Sequence, residues 1–262
     1  MTRTGKRISR ISAIHFGKLV FRSLLFIAAV VVYILFRNDL YPELISHPVL
    51  LVILWIIFFV EMVFRFFPSN LESMGCQKQF ARNYIPRGSG AKPENQSAKT
   101  TALVVFSWIA LNAVIGLLYF TGVIDEGILV LISLFYSVCD MICILFFCPF
   151  QTWIMKNRCC TTCRIYNWDY AMMFTPLIFL ANPFSISILV CAVALLIRWE
   201  IAFHRHPERF SEKTNKCLSC SECQEKLCAH KKQLNVLLKR INTISSERFL
   251  GDHNKAKTDR TK

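Results

Sequence analysis

The sequence lacks the short motifs that mark the common enzyme families. It has no Walker phosphate-binding loop, no nucleophile elbow, no His-Glu-x-x-His zinc motif and no glycine fingerprint for dinucleotides. These absences exclude the usual nucleotide-dependent, hydrolytic and metalloprotease interpretations. An internal repeat is missing as well, and the apolar run after Lys18 has no small-residue cleavage site of a signal peptide. The sequence names no substrate, and whether the protein is an enzyme stays open.

Acidic residues are also scarce. The chain has 17 Asp and Glu against 31 Lys and Arg, which gives a net charge of +14. The positive charge lies almost entirely outside the hydrophobic runs. It therefore favours basic loops held on the cytoplasmic face of a membrane over a nucleic-acid surface. We expect the lipid bilayer as a partner and no nucleic acid.

Apolar residues are present in excess. Hydrophobic side chains make up 54% of the chain and the mean hydropathy is +0.40, above the level of a typical soluble domain. The excess is concentrated in runs of the length that crosses a bilayer, about 20 residues. These runs cover 19–36, 48–67, 101–121, 127–148 and 170–199. The pattern predicts an all-α integral membrane protein with a basic N-terminus (1–18), a multi-pass membrane domain (19–199) and a cytoplasmic tail (200–262).

The charges between the runs predict an orientation. Residues 1–18, 68–100 and 149–169 are rich in Lys and Arg, whereas 37–47 and 122–126 are poor in them. Positively charged loops stay on the cytoplasmic side of a membrane. The alternation therefore predicts a cytoplasmic N-terminus for a protein of the cell (inner) membrane.

The fifth run does not fit one simple span. The tail after it is basic and should be cytoplasmic, whereas a single crossing would place it outside. A break at Asn182-Pro183 would return the chain, because Pro removes a backbone donor and disfavours helix at the preceding residue. The halves, 170–181 and 184–199, have about 12 and 16 residues and are short for two spans. We expect a re-entrant or interfacial hairpin, and the alternative is one long helix kinked at Pro, with its tail outside.

The densest cluster of candidate metal ligands lies in the tail. Cys217, Cys220 and Cys223 form a Cys-x-x-Cys-x-x-Cys run, and Cys228 and His230 follow it. Three thiolates at this spacing can hold three corners of a [4Fe–4S] cluster. Two of them can instead complete a tetrahedral zinc site with Cys228 and His230. We expect a cytoplasmic metal centre, zinc or iron–sulfur, and the alternative is a group of thiols without metal.

A second group of cysteines follows the fourth run. Cys148 precedes a proline, as a remote cluster ligand can, and Cys160 and Cys163 form a Cys-x-x-Cys pair. Such a pair can bind metal or cycle between dithiol and disulfide. The nearby basic side chains, which would lower the pKa of these thiols, are Lys156, Arg158 and Arg164. We predict Cys148, Cys160 and Cys163 as cofactor-binding residues, and the alternative is a set of interfacial side chains without a ligand.

One acid lies deep inside a predicted span. Asp140 is roughly 12 Å from the inner end of the fourth run at 1.5 Å per residue, and Cys139 and Cys143 share one helix face beside it. An acid at that depth is costly and marks a candidate site for protons or cations. Asn112 in the third run is its expected partner. The alternative is an acid that joins helices by hydrogen bonding.

The end of the chain predicts one further element. Residues 231–250 place leucine and isoleucine at helical spacing, with lysine and arginine on the remaining face. This basic amphipathic helix would lie on anionic lipid headgroups or pack against the protein itself.

Three functions follow from these patterns as hypotheses. The first is redox: the cysteine groups hold a cluster or a dithiol that passes electrons or senses redox state at the membrane. The second is a structural or regulatory protein in which zinc folds a tail too small to build its own core. The third is a transporter of small solutes or ions that uses Asp140 and the broken hairpin.

Overall fold

All regular structure in the described part of the chain is helical. We describe the protein from a computed structural model, in which residues 10–36, 48–68, 74–88, 90–94, 97–157 and 159–219 are described. Among these residues the only β-type pairing is one bridge between Pro86 and Asn215. The α-helices are α1 (Arg10–Phe36), α2 (Pro48–Phe66), α3 (Met74–Gln77), α4 (Ala98–Phe120), α5 (Glu126–Leu145), α6 (Asp169–Phe174) and α7 (Pro183–Arg205). The all-α prediction is confirmed for this part of the chain.

Four helices are long and apolar enough to cross a membrane. They are Ala13–Leu35 within α1, and α4, α5 and α7 over their whole lengths. Their outer faces are apolar; on α4, Phe106 and Phe120 expose 70% and 76% of their surface. A continuous apolar belt of this kind is suited to lipid and not to water. The predicted membrane protein is therefore confirmed, and α2 coincides with the second predicted run.

Polar side chains mark where the membrane helices begin. Ser97 precedes α4, and its hydroxyl accepts the Lys99 amide at 3.3 Å. Asp125 precedes α5 and accepts the Ile128 amide at 2.9 Å. Asn182 precedes α7 and accepts the Phe184 amide at 2.9 Å. Each satisfies a backbone N–H that the first helical turn leaves without an intrahelical partner.

Helices α1 and α5 run antiparallel along their lengths. The Phe16 and Phe146 rings meet at 6.0 Å near one end, and Phe26 and Phe135 meet at 5.8 Å further along. At the other end the Tyr33 hydroxyl donates to Asp125 at 2.8 Å. The beginning of α1 therefore lies beside the end of α5.

The fifth apolar run folds back at the predicted break. Helix α6 is followed by a tighter 3-10 turn over Thr175–Phe179, and α7 begins at Pro183. Phe179 packs against Gly116, near the end of α4. The returning half is longer than predicted: α7 has 23 residues, or about 34 Å of helix, enough to cross a bilayer. The break at Asn182-Pro183 is confirmed, whereas the expectation that both halves are too short to cross was wrong for the second.

Three segments meet at one end of the helices and form what we call the cap, which comprises residues 74–88 with 90–94, residues 146–157 with 159–168, and residues 206–219. The Asn215 amide donates to the Lys78 carbonyl at 3.0 Å, and the Lys216 amide donates to the Ile85 carbonyl at 2.9 Å. The Gln79 side chain donates to the Thr161 carbonyl at 2.6 Å. These bonds place the three segments on the same side of the bundle.

The tail is described only as far as Ser219. Cys217 belongs to the cap, where its thiol donates to the Asn83 carbonyl at 3.1 Å. The remaining predicted metal ligands, Cys220, Cys223, Cys228 and His230, lie outside the described residues, as does the helix predicted over 231–250.

Candidate functional site

Five cysteines line one cavity where α5 enters the cap. Cys139 and Cys143 come from the last turns of α5, which ends at Leu145, three residues before the end of the predicted span. Two consecutive amides, those of Phe146 and Phe147, share the Ile142 carbonyl as acceptor and end the helix. The other three thiols come from the cap and are Cys148, Cys160 and Cys163. The structure therefore brings Cys139 and Cys143 of the membrane helix together with the predicted group Cys148, Cys160 and Cys163.

The cavity has a volume of about 140 Å³ and is lined mainly by apolar side chains. Trp108 of α4 and Tyr136 of α5 form part of its wall, with ring centroids 4.9 Å apart. Two carboxyl residues, Asp140 and Asp169, complete the polar part of the lining. The site is an apolar chamber in which thiols are the main polar groups.

Cys143 and Cys148 are joined directly. A hydrogen bond connects their side chains across the end of α5. The Cys148 sulfur also accepts the backbone amide of Gln151 at 3.4 Å. Since the Gln151 amide favours negative charge on that sulfur, Cys148 is placed to act as the nucleophile of the pair.

Gln151 links this pair to the Cys-x-x-Cys sequence of the cap. Its side-chain oxygen accepts the Cys160 thiol at 2.9 Å, and its side-chain nitrogen donates to the Asn157 carbonyl at 3.1 Å. The residue is buried and lies in a single π-helical turn, Phe150–Ile154. The backbone of Gln151 thus contacts one thiol and its side chain contacts another.

The Cys163 thiol is not activated, contrary to the prediction of a lowered pKa. Burial raises its pKa from the ordinary 9.0 to about 12, so the thiol stays protonated at neutral pH. The predicted lowering by neighbouring basic residues was wrong for this residue. Arg164 is occupied instead by a two-armed ion pair with Glu200 of α7 and stacks on Phe203.

The described residues do not contain a ready-made metal site. Among them, no three His, Cys, Asp or Glu side chains converge in a way that could hold an ion. All nine described cysteines are thiols and not disulfides. Cys148, Cys160 and Cys163, the predicted cofactor residues, line the same cavity, and Cys217 lies apart from them at Asn83.

Asp140 belongs to a buried ionic cluster beside this cavity. Arg22 of α1 donates to Asp140 at 3.1 Å and to Glu61 of α2 at 2.7 Å. Only 2% of the Arg22 side chain is exposed. Lys18 approaches Glu61 at 3.5 Å, and the Tyr170 hydroxyl donates to Glu61 at 3.1 Å. The two cations and two carboxylates balance, which is how a membrane protein retains charges at this depth.

Asn112 is not the partner of Asp140. Its side chain is buried and donates to the Trp108 carbonyl of the same helix at 3.0 Å. This local bond satisfies the amide nitrogen one turn away, whereas Arg22 provides a full opposite charge for the acid. Expecting Asn112 as the partner was therefore wrong, because an arginine on another helix satisfies the carboxylate better.

A second ion pair lies between this cluster and the cap. Arg65 of α2 donates to Asp169, the first residue of α6, at 2.6 Å. The Arg65 guanidinium also lies 5.0 Å from the centre of the Tyr170 ring. Glu61 and Arg65 are spaced to pair with each other along α2, yet each pairs with another helix. Glu61 and Arg65 therefore connect α2 to α1 and α6 through ion pairs.

Sequence analysis alone missed several of these residues. Arg22, Lys18 and Arg65 are basic residues at the ends of apolar runs, where they resemble ordinary boundary charges. The sequence did contain one usable signal: a basic residue lies in one apolar run and an acidic residue in another. Because charged side chains inside membranes pair with each other, such residues are candidate partners. Nothing in the sequence marked Gln151 as a site residue, because its contacts with the two thiols depend on the turn that follows Pro149.

Comparison with protein-family models, curated proteins and solved structures finds no match to this chain. The functional argument therefore depends on the geometry of the site itself.

Proposed function

We propose that this protein is a membrane-bound thiol–disulfide redox protein whose working pair is Cys143 and Cys148. The observation that carries the proposal is the hydrogen bond between these two side chains inside a cavity lined by five cysteines. Two thiols within hydrogen-bonding distance are close enough to form a disulfide with limited adjustment. The redox hypothesis from the sequence therefore acquires a specific pair of residues.

The chemistry of the pair follows from its contacts. The Cys148 sulfur, which accepts the Gln151 amide, attacks the oxidant as a thiolate. Cys143 then attacks the Cys148 sulfur and forms the disulfide, and two electrons and two protons leave the protein. Cys160 and Cys163 lie on the same cavity and form the next pair with which the disulfide can exchange.

Disulfide mapping tests the proposal. Purified protein in detergent is treated with diamide, a thiol oxidant, then alkylated and digested. Mass spectrometry should find a peptide that links Cys143 to Cys148. Cys143→Ser should abolish the link, whereas Cys191→Ser should leave it intact, because Cys191 lies on α7 and does not line the cavity. Failure to form the link in unsubstituted protein would refute the assignment.

A metal centre is the second candidate function. One observation favours it: Cys148, Cys160 and Cys163, from two turns of the cap, line one cavity, and the tail that follows Cys217 begins on the same side. Thiolate ligands suit zinc or a [4Fe–4S] cluster, and the tail thiols Cys220 and Cys223 would add to them. Elemental analysis after anaerobic purification distinguishes the two candidates. In a zinc or iron protein, Cys220→Ser should lose metal and expose the tail to protease.

A further inference from the structure

We propose that the cavity binds the ring of a lipid-soluble quinone, which accepts the electrons of the Cys143–Cys148 pair. This inference rests on the proposed redox function and names its oxidant. The cavity touches both the thiols and the side of the bundle built by the membrane helices α4 and α5. Trp108 of α4 and Tyr136 of α5 lie in its wall, so the thiol pair is next to helices that lie in the bilayer, where quinones dissolve.

The size of the cavity fits one six-membered ring. Its volume is about 140 Å³, and an apolar protein cavity of about 150 Å³ is known to admit benzene. A folded peptide is too large for this space. The cavity therefore selects a small planar head group over a macromolecular oxidant.

The lining matches a neutral aromatic ring. Trp108, Tyr136 and Phe150 contribute aromatic surface, and Ile144 and Met172 contribute aliphatic and thioether surface. Aromatic rings pack favourably on one another at centroid distances of about 4.5–7 Å. Hydrated oxidants such as charged disulfides would lose their water in this lining without compensation.

The charges beside the cavity are already neutralised. Asp140 is paired with Arg22 at 3.1 Å, and Asp169 is paired with Arg65 at 2.6 Å. Neither carboxylate therefore needs a cationic ligand in the cavity to balance its charge. An uncharged ligand is the chemistry that this balance accommodates.

The reaction balances without another reactant. The Cys148 thiolate adds to the quinone and forms a carbon–sulfur bond. Cys143 attacks the Cys148 sulfur, the disulfide forms and the carbon–sulfur bond breaks, leaving its electron pair on the ring. The two protons from the original thiols then neutralise the two oxygens, so a dithiol and a quinone become a disulfide and a hydroquinone.

Anaerobic assays with decylubiquinone test the inference. Reduced protein in detergent should convert about one equivalent of decylubiquinone to its quinol while the Cys143–Cys148 disulfide forms, as a two-electron exchange requires. Cys143→Ser should lose the reaction and Cys191→Ser should keep it. Met172→Trp should fill the cavity and lose the reaction with decylubiquinone, whereas Met172→Leu, which conserves volume, should keep it.

Diamide separates the possible failures. If diamide forms the Cys143–Cys148 disulfide in unsubstituted protein but decylubiquinone is not reduced, the quinone inference is wrong and the redox function stands. If neither oxidant forms the disulfide, the proposed function itself is wrong. If Met172→Trp protein still forms the disulfide with diamide, the variant retains the working pair. If that variant then reduces decylubiquinone as well as the unsubstituted protein does, the quinone binds outside the cavity and the inference is overturned.

Discussion

Arg22 is the residue on which the buried charges depend. It lies between Glu61 and Asp140, at 2.7 and 3.1 Å, and 2% of its side chain is exposed. Removing it leaves Glu61 with Lys18 and the Tyr170 hydroxyl, whereas Asp140 loses its ion-pair partner. Loss of one partner from a buried charge network costs about 3–5 kcal/mol. The cluster is therefore a stability element as well as the boundary of the thiol cavity.

We predict that Arg22→Met destabilises the protein by about 3–5 kcal/mol, because the two acids lose their shared cation. Thermal unfolding in detergent micelles measures the change. Arg82→Met is the matched control, since Arg82 is exposed in the cap and surface substitutions change stability by about 0.5 kcal/mol or less. Equal unfolding temperatures for the two variants would show that the cluster contributes nothing to folding. Asp140→Asn should be milder, because Glu61 still pairs with Arg22.

Cys163 makes stability depend on pH in one direction. Its pKa is raised to about 12 in the folded protein, against an ordinary 9.0. Between these values the unfolded chain has lost the thiol proton and the folded chain has kept it, so the unfolded state binds fewer protons and stability falls as pH rises. Below pH 9 this penalty is absent.

We therefore predict that the stability difference between the unsubstituted protein and Cys163→Ser depends on pH. The unsubstituted protein should lose stability relative to Cys163→Ser as pH rises from about 9 towards 12, on the order of 4 kcal/mol over the whole window. Equilibrium unfolding at several pH values from 7.5 to about 10.5 covers the accessible part of this window. A difference that stays constant over that range would show that the Cys163 thiol titrates normally.

At the scale of elements, α4 and the folded-back segment are fitted to each other at Gly116. A Cβ at this position would lie 2.7 Å from Cε1 of Phe179, and closer still to Cζ. Glycine therefore allows the 3-10 turn Thr175–Phe179 to pack against the membrane helix. This close approach holds the break before α7 against the bundle.

We predict that Gly116→Ala destabilises the protein by about 1–3 kcal/mol, the usual cost of overpacking. Gly17→Ala in α1 is the control, because a Cβ there meets no atom within 4 Å. Replacing Phe179 with Leu should relieve part of the cost in the double variant, which a double-mutant cycle in detergent would measure. A loss in Gly116→Ala that Phe179→Leu leaves unchanged would place the strain elsewhere.

The helices were predictable from the sequence, whereas the contacts between them were not. Apolar runs of spanning length and the Asn182-Pro183 break indicate elements through local chemistry. Helices α4 and α5 follow their runs closely, whereas α1 begins nine residues before its run and α7 ends six residues after its run. The partners of Asp140 depend on how distant helices align. Arg22 and Asp140 are 118 residues apart, and no spacing rule connects them. The cavity could not be predicted from the sequence for the same reason, because it forms only where α5 and two turns of the cap pack together.

At the scale of the whole molecule, the cap explains how one side of the bundle is organised. It contains residues from three separate stretches of the chain, joined by backbone and side-chain hydrogen bonds. The thiol cavity opens where the cap meets α5. The described start of the tail is therefore on the same side of the bundle as the proposed redox pair.

This arrangement predicts which side of the membrane each loop faces. Ala91 and Lys213 are exposed in the cap, whereas Val123 is exposed in the turn between α4 and α5, at the far end. Cysteines introduced singly at these positions should react with an impermeant maleimide in oriented vesicles. Positions 91 and 213 should be labelled from one side and position 123 from the other. Peptide mapping identifies the labelled site, so the native thiols stay in place. Labelling of 91 and 213 from opposite sides would mean that α7 does not return the chain, and the cap could not form.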